Sequence, residues 1–209
     1  MVILGAQGLA KELATVLEWN NNNEELSFFD DVNENVPKLL FGKFLVIRSL
    51  KSLKNHFIKK SNRFILGVGN PRNKRFLCEK AENLGGELCG LISAHALIGA
   101  YENNIGQGVC VLSHATITVH VTIGKAVLVN KAAIISHDVL IGDYCEISPG
   151  AKILGNVIIG EETLVGANAV ILPHVCVGCR CRIGAGAVVT KNVPDDITVV
   201  GVPAKPLFQ

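Results

Sequence analysis

Isoleucine or valine occupies every sixth position of this 209-residue sequence from Ile105 to Val189, without exception. A period of six matches neither the 3.6-residue repeat of an α-helix nor the two-residue alternation of a flat strand. It is typical of a parallel β-helix built from hexapeptide repeats, in which three hexads complete one coil. The repeat therefore predicts about five coils from residue 105 to about residue 193.

The hexads also predict which side chains face the interior. The isoleucine or valine is the first position of each hexad, and the fifth position is small or apolar, as in Val109, Ala115 and Cys145. Burying each isoleucine or valine contributes roughly 1.5–3 kcal/mol relative to exposure. Glycine recurs at the second position on one face, where we expect the chain to turn tightly: Gly106, Gly124, Gly142, Gly160 and Gly178.

The first part of the chain has a different pattern. Residues 2–4, 26–29 and 63–68 are strand candidates, whereas residues 11–19 and 72–84 have helical spacing. Strands that alternate with helices predict a small parallel α/β domain, which binds ligands at the carboxyl ends of its strands. We therefore divide the chain into an α/β domain, residues 1–90, and a β-helix domain with a C-terminal tail, residues 91–209. In the second domain, residues 91–104 lead into the strict repeat.

Composition excludes several function classes. Lys and Arg number 20 and Asp and Glu 18, with no basic run, so we expect no nucleic-acid partner. No apolar stretch approaches the roughly 20 residues of a membrane-spanning helix, and the first residues do not resemble a signal peptide. We therefore expect a cytoplasmic protein.

Three of the seven cysteines, Cys176, Cys179 and Cys181, form a C-x2-C-x-C cluster. A metal site would need further ligands that converge with suitable geometry. We interpret the cluster as reduced thiols on neighbouring rungs of the coil, with no metal.

Residues eighteen apart lie on adjacent coils, about 4.8 Å from each other. His137 is therefore stacked on Gly155, with Asp138 next to it. An imidazole with a carboxylate partner can act as a general base, and an unobstructed backbone N–H can stabilise an oxyanion. Because adjacent residues of a strand point in opposite directions, Asp138 reaches His137 only if the coil has a corner here. The alternative is a solvated pair on a turn.

Several motifs resemble a known family. Residues 136–143 (SHDVLIGD) and 147–151 (ISPGA) resemble sialic-acid O-acetyltransferases and bacillosamine N-acetyltransferases. Residues 166–169 (GANA), 183–187 (IGAGA) and 201–205 (GVPAK) are similar to the wider hexapeptide acyltransferases. The resemblance covers essentially the whole chain. It implies a small Rossmann-like domain followed by a left-handed parallel β-helix, in a homotrimer with its sites between subunits.

The resemblance also implies a reaction, the transfer of an acetyl group from acetyl-CoA to an amino or hydroxyl group of a sugar, often a nucleotide-linked one. In this family pattern His137 is the base, Asp138 its acidic partner and the Gly155 N–H the oxyanion donor. The positions that match acetyl-CoA contacts are Glu146, Ala167 and Ala185. The positions that match the sugar or nucleotide loop and its neighbours are Gln7, Gly8, Leu9, Asp30, Asp31 and Gly69.

Two departures from the family pattern bear on the ligands. The family loop usually reads Gly-His-Gly where this chain has Gly8-Leu9-Ala10, so a histidine contact to the sugar or nucleotide is missing. A histidine that is common near acetyl-CoA is replaced by Glu146.

Two other functions stay open at this point. One is a zinc-dependent β-helix hydratase, for which His114, His120 and His137 are the candidate ligands. The other is a non-catalytic scaffold that binds a sugar nucleotide, which the changed loop at Leu9 and Ala10 would favour.

Overall fold

The computed structural model describes residues 1–22 and 24–207. The chain divides into two compact units. One comprises residues 1–69 and 73–91, and the other comprises residues 70–72 and the chain from residue 92 onward. The first unit contains the alternating strands and helices, and the second contains the hexads.

The first unit is built on a six-stranded sheet in the order β3-β4-β2-β1-β5-β6. Every neighbouring pair is parallel except β3 and β4. The carboxyl ends of the central strands therefore meet at one edge, as predicted for a parallel α/β sheet. The elements in chain order are β1 (Val2–Leu4), α1 (Gly8–Trp19), β2 (Ser27–Phe29), β3 (Leu39–Leu40), β4 (Phe44–Ile47), α2 (Leu50–Lys59), β5 (Arg63–Leu66), α3 (Pro71–Glu82) and β6 (Glu87–Leu88).

The second unit is a parallel β-helix with three faces of short strands. The first face contains Leu91–Ile92, Cys110–Val111, Leu128–Val129, Glu146–Ile147, Leu164–Val165, Arg182–Ile183, Thr198–Val200 and Lys205–Pro206. The second face contains Leu97–Ile98, Thr116–Ile117, Ile134–Ile135, Lys152–Ile153, Val170–Ile171 and Val188–Val189. The third face contains Asn104–Ile105, Thr122–Ile123, Leu140–Ile141, Ile158–Ile159 and Cys176–Val177.

The β-helix begins one coil before the strict repeat. Leu97 pairs with Thr116, nineteen residues later instead of eighteen. The extra residue lies in the corner that follows, where the Asn103 side chain donates to two backbone carbonyls at 2.8 Å each and accepts one backbone N–H at 2.9 Å. These bonds satisfy backbone groups that an irregular corner leaves without ladder partners. Residues 91–104 therefore form a coil themselves, and the prediction that the coils start at Ile105 is wrong.

The two inward columns are buried as the hexads predict, and together they form the core of the β-helix. Thr163 is the polar exception in the fifth-position column. Its hydroxyl donates to the Gly178 carbonyl at 2.8 Å and accepts the Cys181 N–H at 3.0 Å. Because both its hydrogen-bonding roles are filled, this buried hydroxyl is tolerated.

The prediction that the second-position glycines make the tight turns is wrong. The left-handed conformation falls instead at the fourth position, with φ of 56° at His120, 59° at Asp138 and 62° at His174. The second-position glycines are needed because the coils approach each other closely there. A Cβ on Gly142 would lie 2.6 Å from the backbone nitrogen of Glu161.

The tail continues the β-helix and then turns back. Thr198–Val200 is the seventh strand of the first face, and Lys205–Pro206 pairs with it in the antiparallel direction. Ala204 packs against the hydrophobic core. The tail therefore covers part of the last coil, whose open end needs a cap. None of the helices in the described ranges combines the length and apolarity that crossing a bilayer requires.

Candidate active site

His137 and Asp138 lie at a corner of the coil, directly after the second-face strand Ile134–Ile135. The left-handed backbone of Asp138, with φ of 59°, bends the chain so that both side chains reach the same side. His137 Nδ1 and Asp138 Oδ2 are 2.7 Å apart. With Nδ1–H donated to the carboxylate, Nε2 keeps its lone pair and can accept a proton.

Gly155, one coil further on, lies against the His137 ring. A Cβ at position 155 would be 2.5 Å from His137 Cε1 and 2.7 Å from Nε2, so only glycine leaves room for the ring. The Gly155 carbonyl accepts the His174 N–H at 3.1 Å. Its own N–H has no hydrogen-bond acceptor within the described part of the chain. An imidazole nitrogen and a free N–H donor are thus brought together.

A second imidazole shares the Asp138 carboxylate. His120 occupies the same hexad position one coil earlier, and its Nδ1 is 2.5 Å from Asp138 Oδ1. The hydrogen bonds from His120 and then His137 hold the pKa of Asp138 below its usual value. The hydrogen bond from His120 to Asp138, and then the charge of that carboxylate, raise the pKa of His120. Sequence reasoning named His120 only as a candidate zinc ligand of a hydratase, although its eighteen-residue spacing from Asp138 is a signal for this contact.

The three positions expected to contact acetyl-CoA lie on the first face and at the corner after it. Glu146 is half-buried on the strand Glu146–Ile147, and Ser148 Oγ donates to its Oε1 at 3.4 Å. Ala167 and Ala185 occupy third positions of adjacent coils, where the Gly186 N–H donates to the Ala167 carbonyl at 2.8 Å. The structure therefore stacks the two alanines as neighbours along one corner.

Within one chain, these alanines are not at the corner of His137. Ala167 and Ala185 follow first-face strands, whereas His137 follows a second-face strand. The two corners are the opposite edges of the second face. One hexad of extended chain separates them, which is at most about 20 Å.

In the first unit, Asp30 and Asp31 line a cleft of about 340 Å³ at the carboxyl ends of β1, β2 and β5. Asp30 is buried and shapes the loop, because its Oδ1 accepts the Asn33 N–H at 2.9 Å and its Oδ2 accepts Asn33 Nδ2 at 2.8 Å. Asp31 Oδ2 lies 3.5 Å from Lys80 Nζ. The cleft therefore combines a carboxylate and an ammonium group at its rim.

The other predicted substrate positions do not line this cleft. Gln7 is the N-cap of α1, Gly8 and Leu9 form its first turn, and Gly69 lies between β5 and α3. The cleft is lined instead by residues of α3 that sequence reasoning missed, including Phe76 and Lys80. Lys80 Nζ lies 5.4 Å from the centre of the exposed Phe76 ring. Their i, i+4 spacing within a predicted helix is the signal that places them on one side.

The candidate metal ligands do not converge. Cys176 is exposed on a third-face strand, whereas Cys181 is buried in the core. His114 lies at the corner after the first face, away from that of His120 and His137. Across residues 1–22 and 24–207, no three His, Cys, Asp or Glu side chains are grouped to hold a metal ion.

Two family models match the sequence. The model described as bacterial transferase hexapeptide (six repeats) matches residues 120–155 and 156–191. The model described as PglD N-terminal domain matches residues 1–81. No curated protein sequence matches the chain.

The chain is similar over nearly its whole length to solved structures. The acetyltransferase domain of PglB from Neisseria gonorrhoeae FA1090 is 34% identical, with a TM-score of 0.88, over 99% of this chain and 98% of that one. The chain belongs to the hexapeptide-repeat sugar acetyltransferases. This family of sialic-acid O-acetyltransferases and bacillosamine N-acetyltransferases is the one that the motifs predict, and the β-helix of this acetyltransferase is left-handed.

Two further structures agree with this assignment. Perosamine N-acetyltransferase from Caulobacter crescentus, in complex with CoA and GDP-perosamine, is 27% identical with a TM-score of 0.91, over 100% of this chain and 96% of that one. WeeI from Acinetobacter baumannii AYE is 28% identical with a TM-score of 0.88, over 99% and 98%. The present chain is accordingly a sugar acetyltransferase that uses acetyl-CoA.

Proposed function

We propose that this acetyltransferase transfers acetyl to the amino group of a nucleotide-linked sugar, with His137 as the general base. The observation that carries the proposal is the arrangement at one corner, where His137 is bonded to Asp138 and lies against Gly155. The amine acceptor is supported by the Caulobacter structure, an N-acetyltransferase in complex with a GDP-linked sugar.

The reaction is a direct displacement at the thioester carbonyl. The sugar amine attacks the carbonyl carbon while His137 Nε2 takes the proton that the amine loses. Asp138 holds the ring and stabilises the imidazolium. The Gly155 N–H donates to the tetrahedral oxyanion. When the intermediate collapses, the carbon–sulfur bond breaks, and the imidazolium proton is available to the CoA thiolate.

We propose that acetyl-CoA lies along the corner formed by Ala167 and Ala185, near Glu146. In one chain this corner and that of His137 are at opposite edges of a face, so we propose that acetyl-CoA bound at this corner of one copy of the chain meets the His137 of another copy. A homotrimer with its sites between subunits provides this arrangement. Leu140 and Ile158, neighbouring outward residues of the third face, are each 47% exposed and offer an apolar surface for such a contact.

Subunit mixing tests this arrangement. His137→Ala removes the base, and Ala185→Trp fills the proposed acetyl-CoA corner. If each site uses the His137 of one chain and the Ala185 of another, two inactive variants that are unfolded and refolded together regain part of the activity. Co-refolded variants that stay inactive, although native mass spectrometry shows mixed trimers, would contradict a site between subunits.

For the nucleotide part of the substrate we propose the cleft at the carboxyl ends of β1, β2 and β5. Lys80 supplies a cation for a phosphate, Asp31 a carboxylate for a sugar or base hydroxyl or amine, and Phe76 an exposed ring. Gln7, Gly8, Leu9 and Gly69 lie near the same edge of the sheet without lining the cleft, and Asp30 shapes its loop. We propose that the reaction takes place in the cytoplasm, because the seven cysteines are free thiols and the cytoplasm keeps thiols reduced.

The deciding experiment is a substrate panel. UDP-linked, GDP-linked and sialic-acid-type amino sugars, and their hydroxyl counterparts, are incubated with acetyl-CoA while release of the CoA thiol is followed. We expect turnover with a nucleotide-linked amino sugar and none with His137→Ala, which should still fold and bind acetyl-CoA. A His137→Ala protein with near-normal turnover would refute the base. Acetyl-CoA binding without turnover on any acceptor would favour a non-catalytic scaffold.

A further inference from the structure

The Asp138 carboxylate is shared by two imidazoles, one on each oxygen. His120 Nδ1 lies 2.5 Å from Oδ1, and His137 Nδ1 lies 2.7 Å from Oδ2. The two histidines approach from different coils, since His120 is eighteen residues before Asp138 and His137 is adjacent to it. The carboxylate is thus held from two directions although its side chain is 41% exposed.

We infer that His120 is a positioning residue that orients Asp138 toward the base His137. This inference rests on the proposed function, in which His137 takes the proton. An exposed aspartate with a single partner can rotate about its side-chain bonds, and a rotated carboxylate no longer fixes the His137 ring. A second hydrogen bond from a neighbouring coil removes that freedom.

The charges around His120 indicate a second effect. Glu102 occupies the same hexad position one coil earlier, Asp138 one coil later, and the Tyr101 carbonyl accepts the His120 N–H at 3.1 Å. Asp138, and more weakly Glu102, raise the pKa of His120. A cationic His120 takes part of the Asp138 charge that His137 would otherwise have alone. Removing His120 should therefore change the pH profile of the reaction.

The chain provides suitable variants. Alanine occupies the fourth hexad position at Ala126 and Ala132, and asparagine occupies it at Asn156 and Asn168, all with φ between 55° and 59°. His120→Ala and His120→Asn therefore introduce residues that the fourth hexad position already accommodates in this β-helix, asparagine at the same corner and alanine at the other two. Asparagine keeps a donor at the place of Nδ1 without the charge. His174→Ala is the matched control, because His174 is an exposed histidine at the same hexad position with φ of 62°.

The test is the pH profile of kcat/KM, together with kcat, for the full-length protein with the nucleotide-linked amino sugar that gives turnover. We expect His120→Ala to lower kcat by about tenfold, part of the 10²–10⁴-fold that a positioned base contributes. We expect His120→Asn to recover most of this loss. Both variants should shift the acidic limb of the kcat/KM profile to higher pH by about half a unit. This is the size of the interaction between two charges roughly 6 Å apart in water. His174→Ala should change neither quantity.

Two results would overturn the inference. One is a His120→Ala protein with the wild-type kcat and acidic limb. The other is an equal loss of kcat in His120→Ala and His120→Asn with an unmoved limb, which indicates a merely structural role. His137→Ala separates this failure from that of the proposed function. If His137→Ala is inactive while His120→Ala resembles the wild type, only the role of His120 fails.

Discussion

The His137 ring occupies the space that a β-carbon on Gly155 would need. That carbon would be 2.5 Å from Cε1 and 2.7 Å from Nε2, well inside van der Waals contact. The two residues are eighteen apart and lie on adjacent coils, so the spacing of the coil sets the height of the imidazole above the Gly155 N–H. The position of the His137 ring therefore depends on the absence of a side chain at position 155.

Gly155→Ala should therefore impair catalysis more than folding. The new methyl group displaces the exposed His137 ring from its position beside Asp138, so we expect a loss of kcat/KM of about 100-fold with little change in Tm. Steady-state kinetics and thermal melts check this. Pro173→Ala, one coil further in the same column, is the control and should keep activity. Retention of normal kcat/KM in Gly155→Ala would show that catalysis does not depend on the position of the His137 ring beside the Gly155 N–H.

Asp138→Asn should lower kcat by 100-fold or more while leaving acetyl-CoA binding intact. The amide has no negative charge to stabilise the His137 imidazolium, and its NH2 group does not accept the Nδ1–H that fixes the tautomer. Stopped assays of kcat and calorimetry of acetyl-CoA binding separate the two effects. Asn156→Ala, at the same position of the next coil, serves as the comparison. Wild-type kcat in Asp138→Asn would show that His137 needs no acidic partner.

Gly142→Ala should destabilise the β-helix by about 1–3 kcal/mol, the usual cost of overpacking. The added Cβ would lie 2.6 Å from the Glu161 backbone nitrogen, and neither backbone can withdraw without breaking the coil ladder. Ser136→Ala, at the second position on another face, adds no atoms and should leave stability nearly unchanged. Denaturant unfolding of both variants measures the difference. Equal unfolding free energies for Gly142→Ala and the wild type would contradict the close approach.

Lys80→Ala should raise the KM for the nucleotide sugar by about tenfold, the loss of one charge-assisted phosphate contact. The KM for acetyl-CoA and kcat should be nearly unchanged, because Lys80 lies in the first unit, in the proposed nucleotide cleft. Lys51→Ala removes an exposed lysine of α2 that does not line the cleft and controls for net charge. An unchanged KM for the nucleotide sugar would mean that its phosphates bind elsewhere.

The pair of His120 and Asp138 should stabilise the fold within a limited pH window. The pKa of Asp138 is lowered from 3.8, so its contribution is present above about pH 3.8 and is lost as the pH falls through the lower folded value. The pKa of His120 is raised from 6.5, so its contribution is present below about pH 6.5 and is lost as the pH rises through the higher folded value. The Tm difference between the wild type and His120→Ala should therefore be largest between these two pH values.

Scanning fluorimetry from pH 3 to pH 9 gives this difference, with His174→Ala as the comparison. No side-chain partner of His174 is found within residues 1–22 and 24–207, so its Tm difference should not peak in the same window. A Tm difference for His120→Ala that is constant across the range would contradict the pair.

The regular β-helix could be predicted from the sequence, whereas the less regular first unit was predicted only in part. Each hexad repeats the same contacts with the coils on either side, so a period read from one column predicts the whole β-helix. In the first unit, α2 was not predicted, although the sequence contains the signals of a helix there. Ser49 is its N-cap and accepts the Ser52 N–H at 3.2 Å, and Leu53 and Phe57 are buried at i, i+4 spacing. The hairpin of β3 and β4 was also not predicted, although its two apolar runs flank a short connection that contains Gly42, which is a hairpin signal.

The sequence by itself determined that His137 stacks on Gly155, because parallel coils of eighteen residues leave no other register. Only the tertiary structure decided which residues form the corners and where their side chains point. The left-handed backbone falls at the fourth position, which brings Asp138 to His137 and His120 to Asp138. The glycines that suggested turns serve the close packing of coils instead. The reason is physical: backbone conformation at a corner depends on contacts with neighbouring coils, and a local reading of residue types does not contain those contacts.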